Sequence, residues 1–266
     1  MSKYLRLLYA LCAFLVAFSA NAAKKEVIIN EIMYHAPNDL DELEYIELYN
    51  PGETAVDLSG WAFTNGVRYK FPDGVRIEPN AYLVLCRNLD VFQATYGVDI
   101  VALGNFEGAL SNGGERIELS DKTGKKIDDV KYADGEPWPI APDGYSSSLE
   151  RICPSAKSDA AENWAPSALP PEGRAPTGTP GRQNANHSAN LPPVISEVKF
   201  SPNNPAPNQS VNVQATVKDK DGLGEVILLY RVAKSASEGE ETQVPMKRMS
   251  GDKEEGMYEA VIPGQP

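Results

Sequence analysis

Histidine and cysteine are nearly missing: the 266 residues include 2 His and 3 Cys. A Ser-His-Asp triad would have to be built on His35, because His187 lies in a proline- and asparagine-rich stretch. One placed His and two distant cysteines give no zinc ligand spacing. Aromatics are sparse at 8%, and basic residues number 25 against 37 acids. The resulting charge of −12 repels phosphate backbones and anionic lipid at long range, which argues against a broad nucleic-acid or membrane-surface role. Apolar runs approaching the ~20 residues of a membrane helix are lacking too, so no transmembrane span is expected.

The one sustained apolar run sits at the start. Lys3 and Arg6 precede Leu7–Phe18, and Ala20-Asn21-Ala22 has the small-x-small form of a signal-peptidase site. Residues 1–22 are therefore expected to be a secretory signal cleaved after Ala22, which places the mature chain outside the cytoplasm. Cys12 leaves with this leader, and a lipid anchor there is disfavoured by Leu11 before it. Loss of Lys3 and Arg6 makes the mature chain two units more negative. Cys86 and Cys153 remain in an oxidising compartment, where one disulfide and two separate buried thiols are the alternatives.

From Glu26 onward the chain alternates short β-rich runs with turn residues. Expected strands are Val27–Tyr34, Tyr45–Tyr49, Trp61–Phe63, Arg68–Phe71, Tyr82–Cys86, Arg116–Ser120, Lys126–Tyr132 and Ser147–Ile152. Asn50-Pro51-Gly52, Asn65-Gly66, Pro72-Asp73-Gly74, Asn112-Gly113-Gly114 and Asp121-Lys122-Thr123-Gly124 supply the turns. This spacing predicts a sandwich or barrel, with Arg116–Ser120 and Lys126–Tyr132 as a hairpin. Asp90–Tyr96 is the one short helix expected, with Asp90 as its N-cap and Gly97 as its stop. Residues 154–193, whose stretch 165–193 carries Pro166, Pro170, Pro171, Pro176, Pro180, Pro192 and Pro193, read as a partly extended linker. Beyond it, Val194–Phe200, Ser210–Lys218, Val226–Ala233, Gln243–Met249 and Met257–Ile262 form five strands where an immunoglobulin-like sandwich needs about seven. The expectation is a second, incomplete β-sandwich over 194–266 in the N-terminal part of a longer protein.

Four pieces taken in order carry a family resemblance: Val27–Ile32, Glu44–Asn50, Val56–Trp61 with its Leu-Ser-Gly-Trp corner, and Tyr82–Leu85. Over residues 24–153 the chain resembles the lamin-tail domain, which implies an all-β, immunoglobulin-like β-sandwich. Pro137-Trp138-Pro139, Ser148-Leu149-Glu150-Arg151, Asn163–Ser167 and Gly178-Thr179-Pro180-Gly181 are similar to the trailing part of such modules in bacterial secreted proteins that also carry a CotH-type kinase-like domain. That resemblance implies module order alone, because these residues contain neither a glycine-rich phosphate loop with a strand lysine nor a His-Arg-Asp catalytic loop.

Candidate sites are few. Asp39, Asp41 and Glu42, leading to Glu44 and Glu47, and a second group at Asp219 and Asp221, offer oxygen ligands for calcium, against a solvated loop and an Asx turn respectively. Trp138 between two prolines, together with Tyr145, is the candidate contact surface for a protein or polysaccharide, against a lid packed over the sandwich end. No cofactor is expected apart from that calcium alternative. The sequence points to a secreted, non-catalytic binding or structural module. The alternative is an accessory region of a larger secreted enzyme whose catalytic domain lies past Pro266.

Overall fold

The computed structural model describes residues 27–168, 177–234, 237–238 and 240–265. The expected leader, with Ala22, lies outside these residues. In the first module the strands are β1 (Ile28–Met33), β2 (Tyr45–Tyr49), β3 (Val56–Asp57), β4 (Ala62–Asn65), β5 (Tyr69–Lys70), β6 (Arg76–Ile77) and β7 (Tyr82–Cys86). Helix α1 (Leu89–Tyr96) follows, then β8 (Ala102–Leu103), β9 (Arg116–Ser120), β10 (Lys126–Lys131), β11 (Leu149–Arg151) and β12 (Trp164–Pro166). They form a six-stranded sheet, β12-β11-β1-β2-β7-β8, facing a four-stranded sheet, β10-β9-β4-β5. The fold is an all-β, immunoglobulin-like sandwich.

The alternation of side chains explains what each face buries. Ile46 and Leu48 of β2, Leu83 and Leu85 of β7, and Leu149 of β11 point inward against Phe63, Ile117, Leu119 and Val130 of the smaller sheet. The opposite face of the larger sheet is buried too. There Met33, Tyr45, Val84 and Cys86 pack under Phe92 of α1. A β-bulge between Ile29 and Glu31 shifts the register of β1, so that Ile29 and Ile32 both reach the inner core.

Turn chemistry joins the strands where the sequence expects it. Asn50 is fully buried; its Oδ1 accepts from Gly52 N at 3.0 Å and its Nδ2 donates to the carbonyls of Thr54, Ile77 and Glu78 at 2.9–3.1 Å. The β9–β10 hairpin forms around Asp121, whose Oδ1 accepts from Thr123 N and Lys125 N. Helix α1 starts differently from expectation: Asn88, two residues before Asp90, is the N-cap, and its Oδ1 accepts from Val91 N at 3.2 Å. Gly97 ends the helix at φ +105°.

The larger correction concerns 154–193. The described part of this expected linker is built onto the first module. Trp164 opens β12, which adds to β11 at the sheet edge. Asn163 is buried and accepts from Cys153 N at 2.8 Å, and Trp164 Nε1 donates to Ser158 O at 2.7 Å. Residues 177–188 then cross the outer face of the large sheet. Proline content gave the impression of a spacer, while side-chain hydrogen bonds fix the segment in place.

The second module comprises β13 (Val194–Ser201), β14 (Val211–Lys218), β15 (Ile227–Tyr230), β16 (Ala233–Lys234), β17 (Ser237–Glu238), β18 (Thr242–Pro245), β19 (Lys247–Gly251) and β20 (Glu255–Ile262). Its main sheet has the order β13-β14-β20-β19, and β15 pairs with β18. The run Gln243–Met249, expected as one strand, divides at Met246, whose N–H turns aside to Val226 O at 2.7 Å.

Candidate functional site

Three glutamates line up across three neighbouring strands. In the register of the large sheet Glu31 of β1 lies opposite Glu150 of β11 on one side and Glu47 of β2 on the other. All three are fully buried. Like charges directly opposite each other destabilise a sheet, so a row of three buried acids has to be held by donors or by protons.

The donors come from both the sheet and the crossing segment. Glu31 Oε1 accepts from Tyr45 Oη at 2.7 Å, Ser148 Oγ at 2.5 Å and Thr179 N at 2.8 Å. Thr179 Oγ1 lies 3.2 Å from Glu31 Oε2 and 3.0 Å from Glu150 Oε1. Glu47 accepts from Asn30 Nδ2 at 2.9 Å and from Gly181 N at 2.5 Å. Glu150 Oε2 accepts from Asn186 N and Nδ2 at 3.2 and 2.8 Å. Asn184 Nδ2 ties the same segment to the carbonyls of Asn30 and Arg151 at 3.0 and 2.9 Å. Glycine is required at 178: its φ is +121°, and a Cβ would stand 2.3 Å from Tyr45 Oη and 2.6 Å from Glu31 Oε1.

Burial dominates the electrostatics of this row. It raises Glu31 to about 7, against the bonds from Ser148, Tyr45 and Thr179, and the neighbouring Glu150 charge raises it further. Glu47 is pushed well above the ordinary carboxylate range by burial and then by Glu31. Tyr45 is likewise held neutral by burial and the adjoining Glu31. Raised carboxyl values suit general acids, but no solvent reaches these oxygens, so the arrangement acts as an internal clasp. Among the described residues no group of three His, Cys, Asp or Glu is placed to hold a metal ion.

The family model described as Lamin Tail Domain matches residues 20–134. The first module is a lamin tail domain. No curated protein and no solved structure matches the chain. Glu31 and Glu47 fall within the matched part of the lamin tail domain, whereas Glu150, in the same sheet, and the crossing segment over its outer face lie past its end.

The residues singled out from sequence are scattered over both modules. Trp138, expected as an exposed contact, is 8% exposed and packs on Trp164 with ring centroids 6.3 Å apart, so it is the lid and not the surface. Tyr145 does stand out, 64% exposed. Asp39 and Asp143 flank the imidazole of His35, at 2.8 Å from Nε2 and 2.5 Å from Nδ1. Burial pulls this imidazole down, but both carboxylates outweigh it and hold it above its usual value. Asp41 pairs with Arg87 at 2.9 Å. Glu42 is the middle residue of a 3₁₀ turn, Asp41–Leu43, that leads into β2. Asp219 and Asp221 form an Asx turn, with Asp221 N donating to Asp219 Oδ1 at 2.9 Å. Glu44 is buried against Leu110 N at 2.9 Å and is raised to about 7 by burial.

Cys86 and Cys153 are two separate buried thiols. Cys86 Sγ donates to Leu103 O at 3.2 Å, and Cys153 Sγ sits against Ser155 Oγ and Ala189 O. Sequence reasoning missed the glutamate row because outward positions of a strand pair read as solvated. The signal was present in Gly178-Thr179-Pro180-Gly181, a motif too particular for a spacer.

Proposed function

We propose that the chain is an exported, non-catalytic module that presents rigid β surfaces to a protein or polysaccharide partner. One observation carries this reading. The convergent titratable groups of the lamin tail domain are consumed in closing its own outer face, not in lining an open cleft. Its surface aromatics, half-buried Tyr49 and Tyr82 and exposed Tyr145, are those of a contact surface. Tyr49 and Tyr82 stack at 4.6 Å and 17° on the outer face of β2 and β7, a platform that fits a sugar ring. Tyr145 projects from the loop that His35 anchors through Asp143. Export is supported by the leader alone. Motifs on which the accessory-region alternative drew take part in closing the domain: Glu150 stands in the row, Ser148 donates to it, and Thr179 and Gly181 donate to it from the crossing segment.

The test is a glycan array and a pull-down with the full chain after export, with Tyr49→Ala, Tyr82→Ala and Tyr145→Ala as comparisons. A ligand whose capture falls at least about tenfold in one of these variants, on protein beginning at Ala23, is the expected outcome. Retention in the cytoplasm with residues 1–22 intact, or measurable turnover without any ligand capture, overturns the reading.

A further inference from the structure

Taking Tyr145 as part of the contact surface described above, we propose that the face built by the 36–42 turn and the 133–146 loop docks a basic, arginine-bearing segment of a partner protein. His35 joins the two stretches. Asp39 Oδ1 lies 2.8 Å from its Nε2 and Asp143 Oδ1 2.5 Å from its Nδ1, and His35 pairs with Asp143 in an isolated β-bridge. Pro37, Pro137, Pro139 and Pro142 stiffen both stretches, and Trp138 anchors the loop on Trp164. Beside this clamp three large apolar side chains stand in solvent: Leu40, next to Asp39, at 46% exposure, Ile140 at 57% and Tyr145 at 64%. Ile140 O accepts from Asp143 N at 3.0 Å, which keeps it at the clamp. A surface ordered in advance around an aromatic anchor reduces the entropy lost on binding.

The charge of this face selects the partner. Asp39, Glu42, Asp134 and Glu136 are exposed and Asp143 is half-buried, while the sequence has neither Lys nor Arg between Val27 and Val67 or between Tyr132 and Glu150. Arg87 reaches the turn from just past β7 but is engaged by Asp41 and Glu44 at 2.9 and 3.5 Å. Tyr34 gives an independent sign of an incoming group. It is 1% exposed, and among the described residues its Oη has no hydrogen-bond partner. Burial, and then the charges of Asp143 and Asp134, hold this phenol above its ordinary range, so its oxygen lies within reach of both carboxylates. A buried hydroxyl without a bond is costly, and a donor entering beside Asp134 and Asp143 would satisfy it. The carboxylates are spread over two stretches and, among the described residues, form no group able to hold a metal ion. A guanidinium suits that spread, because its N–H fork can bond carboxylates and the phenol oxygen together and its plane stacks on a ring such as that of Tyr145. A neutral sugar would leave these charges unmatched.

Titration of the full chain with a short fluorescent peptide alternating arginine and leucine tests the docking, against the same peptide with glutamate in place of arginine. The arginine peptide is expected to bind, and to weaken at least about tenfold between ~50 and ~300 mM salt, while the glutamate peptide stays free. Tyr145→Ala is expected to weaken binding about fivefold or more, Asp134→Asn about threefold and Tyr34→Phe about tenfold. Glu254→Gln, at an exposed acid of the second module, is the control and is expected to change it less than about twofold. Tyr34→Phe removes a hydroxyl that makes no bond, so its urea midpoint is expected to stay level or rise. Tyr145 and Asp134 are exposed, and their substitution leaves the fold intact. No binding, binding that Tyr34→Phe and Tyr145→Ala leave unchanged, or an equal loss in Glu254→Gln overturns the proposal. Capture of a glycan through Tyr145 while the arginine peptide stays free overturns it and leaves the contact-surface reading standing; absence of any ligand, peptide and glycan alike, overturns both.

Discussion

Raising the pH from 5 to 8.5 should destabilise the lamin tail domain, opposite to the usual behaviour of a protein rich in acids. Glu31 has an ordinary value of 4.5 and about 7 in the folded domain. Below 4.5 both folded and unfolded chains carry the proton, and burial costs no ionisation. Between 4.5 and 7 the unfolded chain releases the proton and the folded one keeps it, so folding loses 1.36 kcal/mol per pH unit, about 3 kcal/mol in all above pH 7. Glu44 moves in the same direction, also to about 7; its partner Arg87 is part-exposed, which limits its share to about 1 kcal/mol. His35, raised as well, loses its paired form in the same direction as pH passes its folded value. The depressed acids of this domain, Asp57 and Asp121, lie at the surface and act only on the acid side, where their contribution disappears as pH falls. Maximum stability therefore falls near pH 5. Urea unfolding followed by the fluorescence of Trp61, Trp138 and Trp164 at pH 5, 6.5 and 8.5 measures it, with the midpoint expected to drop by about 1 M or more over that range. Glu31→Gln should flatten the profile, because Thr179 Oγ1 can turn from donor to acceptor for the new amide. A midpoint that rises or stays level from pH 5 to 8.5 would refute the reasoning.

Other perturbations probe the same closure. Gly178→Ala forces a Cβ onto Tyr45 Oη and Glu31 Oε1 at a left-handed φ, so calorimetry should show a loss of about 2–4 kcal/mol. Arg151→Ala strips Asp128 of its buried partner and also releases the carbonyls of Ile29 and Ala156; the expected loss is about 3–5 kcal/mol in urea unfolding, and a change below about 1 kcal/mol would show Asp128 to be solvated. In leaderless chain, Cys86 and Cys153 should resist a thiol reagent while folded, since burial raises the Cys86 thiol to about 11, and should titrate as two free thiols once unfolded without reductant. A count of zero would establish a disulfide.

The parts of the fold legible in sequence are those where local chemistry and tertiary packing agree. Tyr45–Tyr49, Tyr82–Cys86 and Arg116–Ser120 form strands with the expected ends, because each couples β-forming residues with turn residues immediately beyond. The short strands Val56–Asp57, Arg76–Ile77 and Ala102–Leu103 carry no such signal; they exist because neighbouring strands offer unpaired backbone groups. The glutamate row was hidden for a different reason. Alternation correctly puts Glu47 on the face opposite Ile46 and Leu48, but that face is covered by a segment more than a hundred residues away. No local pattern distinguishes a glutamate facing water from one facing the N–H of Gly181. Trp138 shows the same limit: flanking prolines identify a loop, and only the position of Trp164 turns that loop into a lid.

The matched residues 20–134 and the physical domain therefore have different ends, and the difference can be measured. A chain cut after Cys153 keeps β11 but loses β12, leaving Leu149–Arg151 as a bare sheet edge. It also loses Trp164, 3% exposed and in contact with Trp138, a truncation worth about 3–5 kcal/mol by itself. Without 177–188, Glu31, Glu47 and Glu150 gain water, but the face they share with Tyr45 gives up every bond that segment supplied. These losses together match the 5–15 kcal/mol that stabilises an ordinary domain. Residues 23–188 should consequently unfold in one cooperative transition, while residues 23–153 should show none. Equal cooperativity in the two would mean that residues 177–188 and β12 are decoration on a sandwich already complete, and the account of the buried glutamates would have to be abandoned with it.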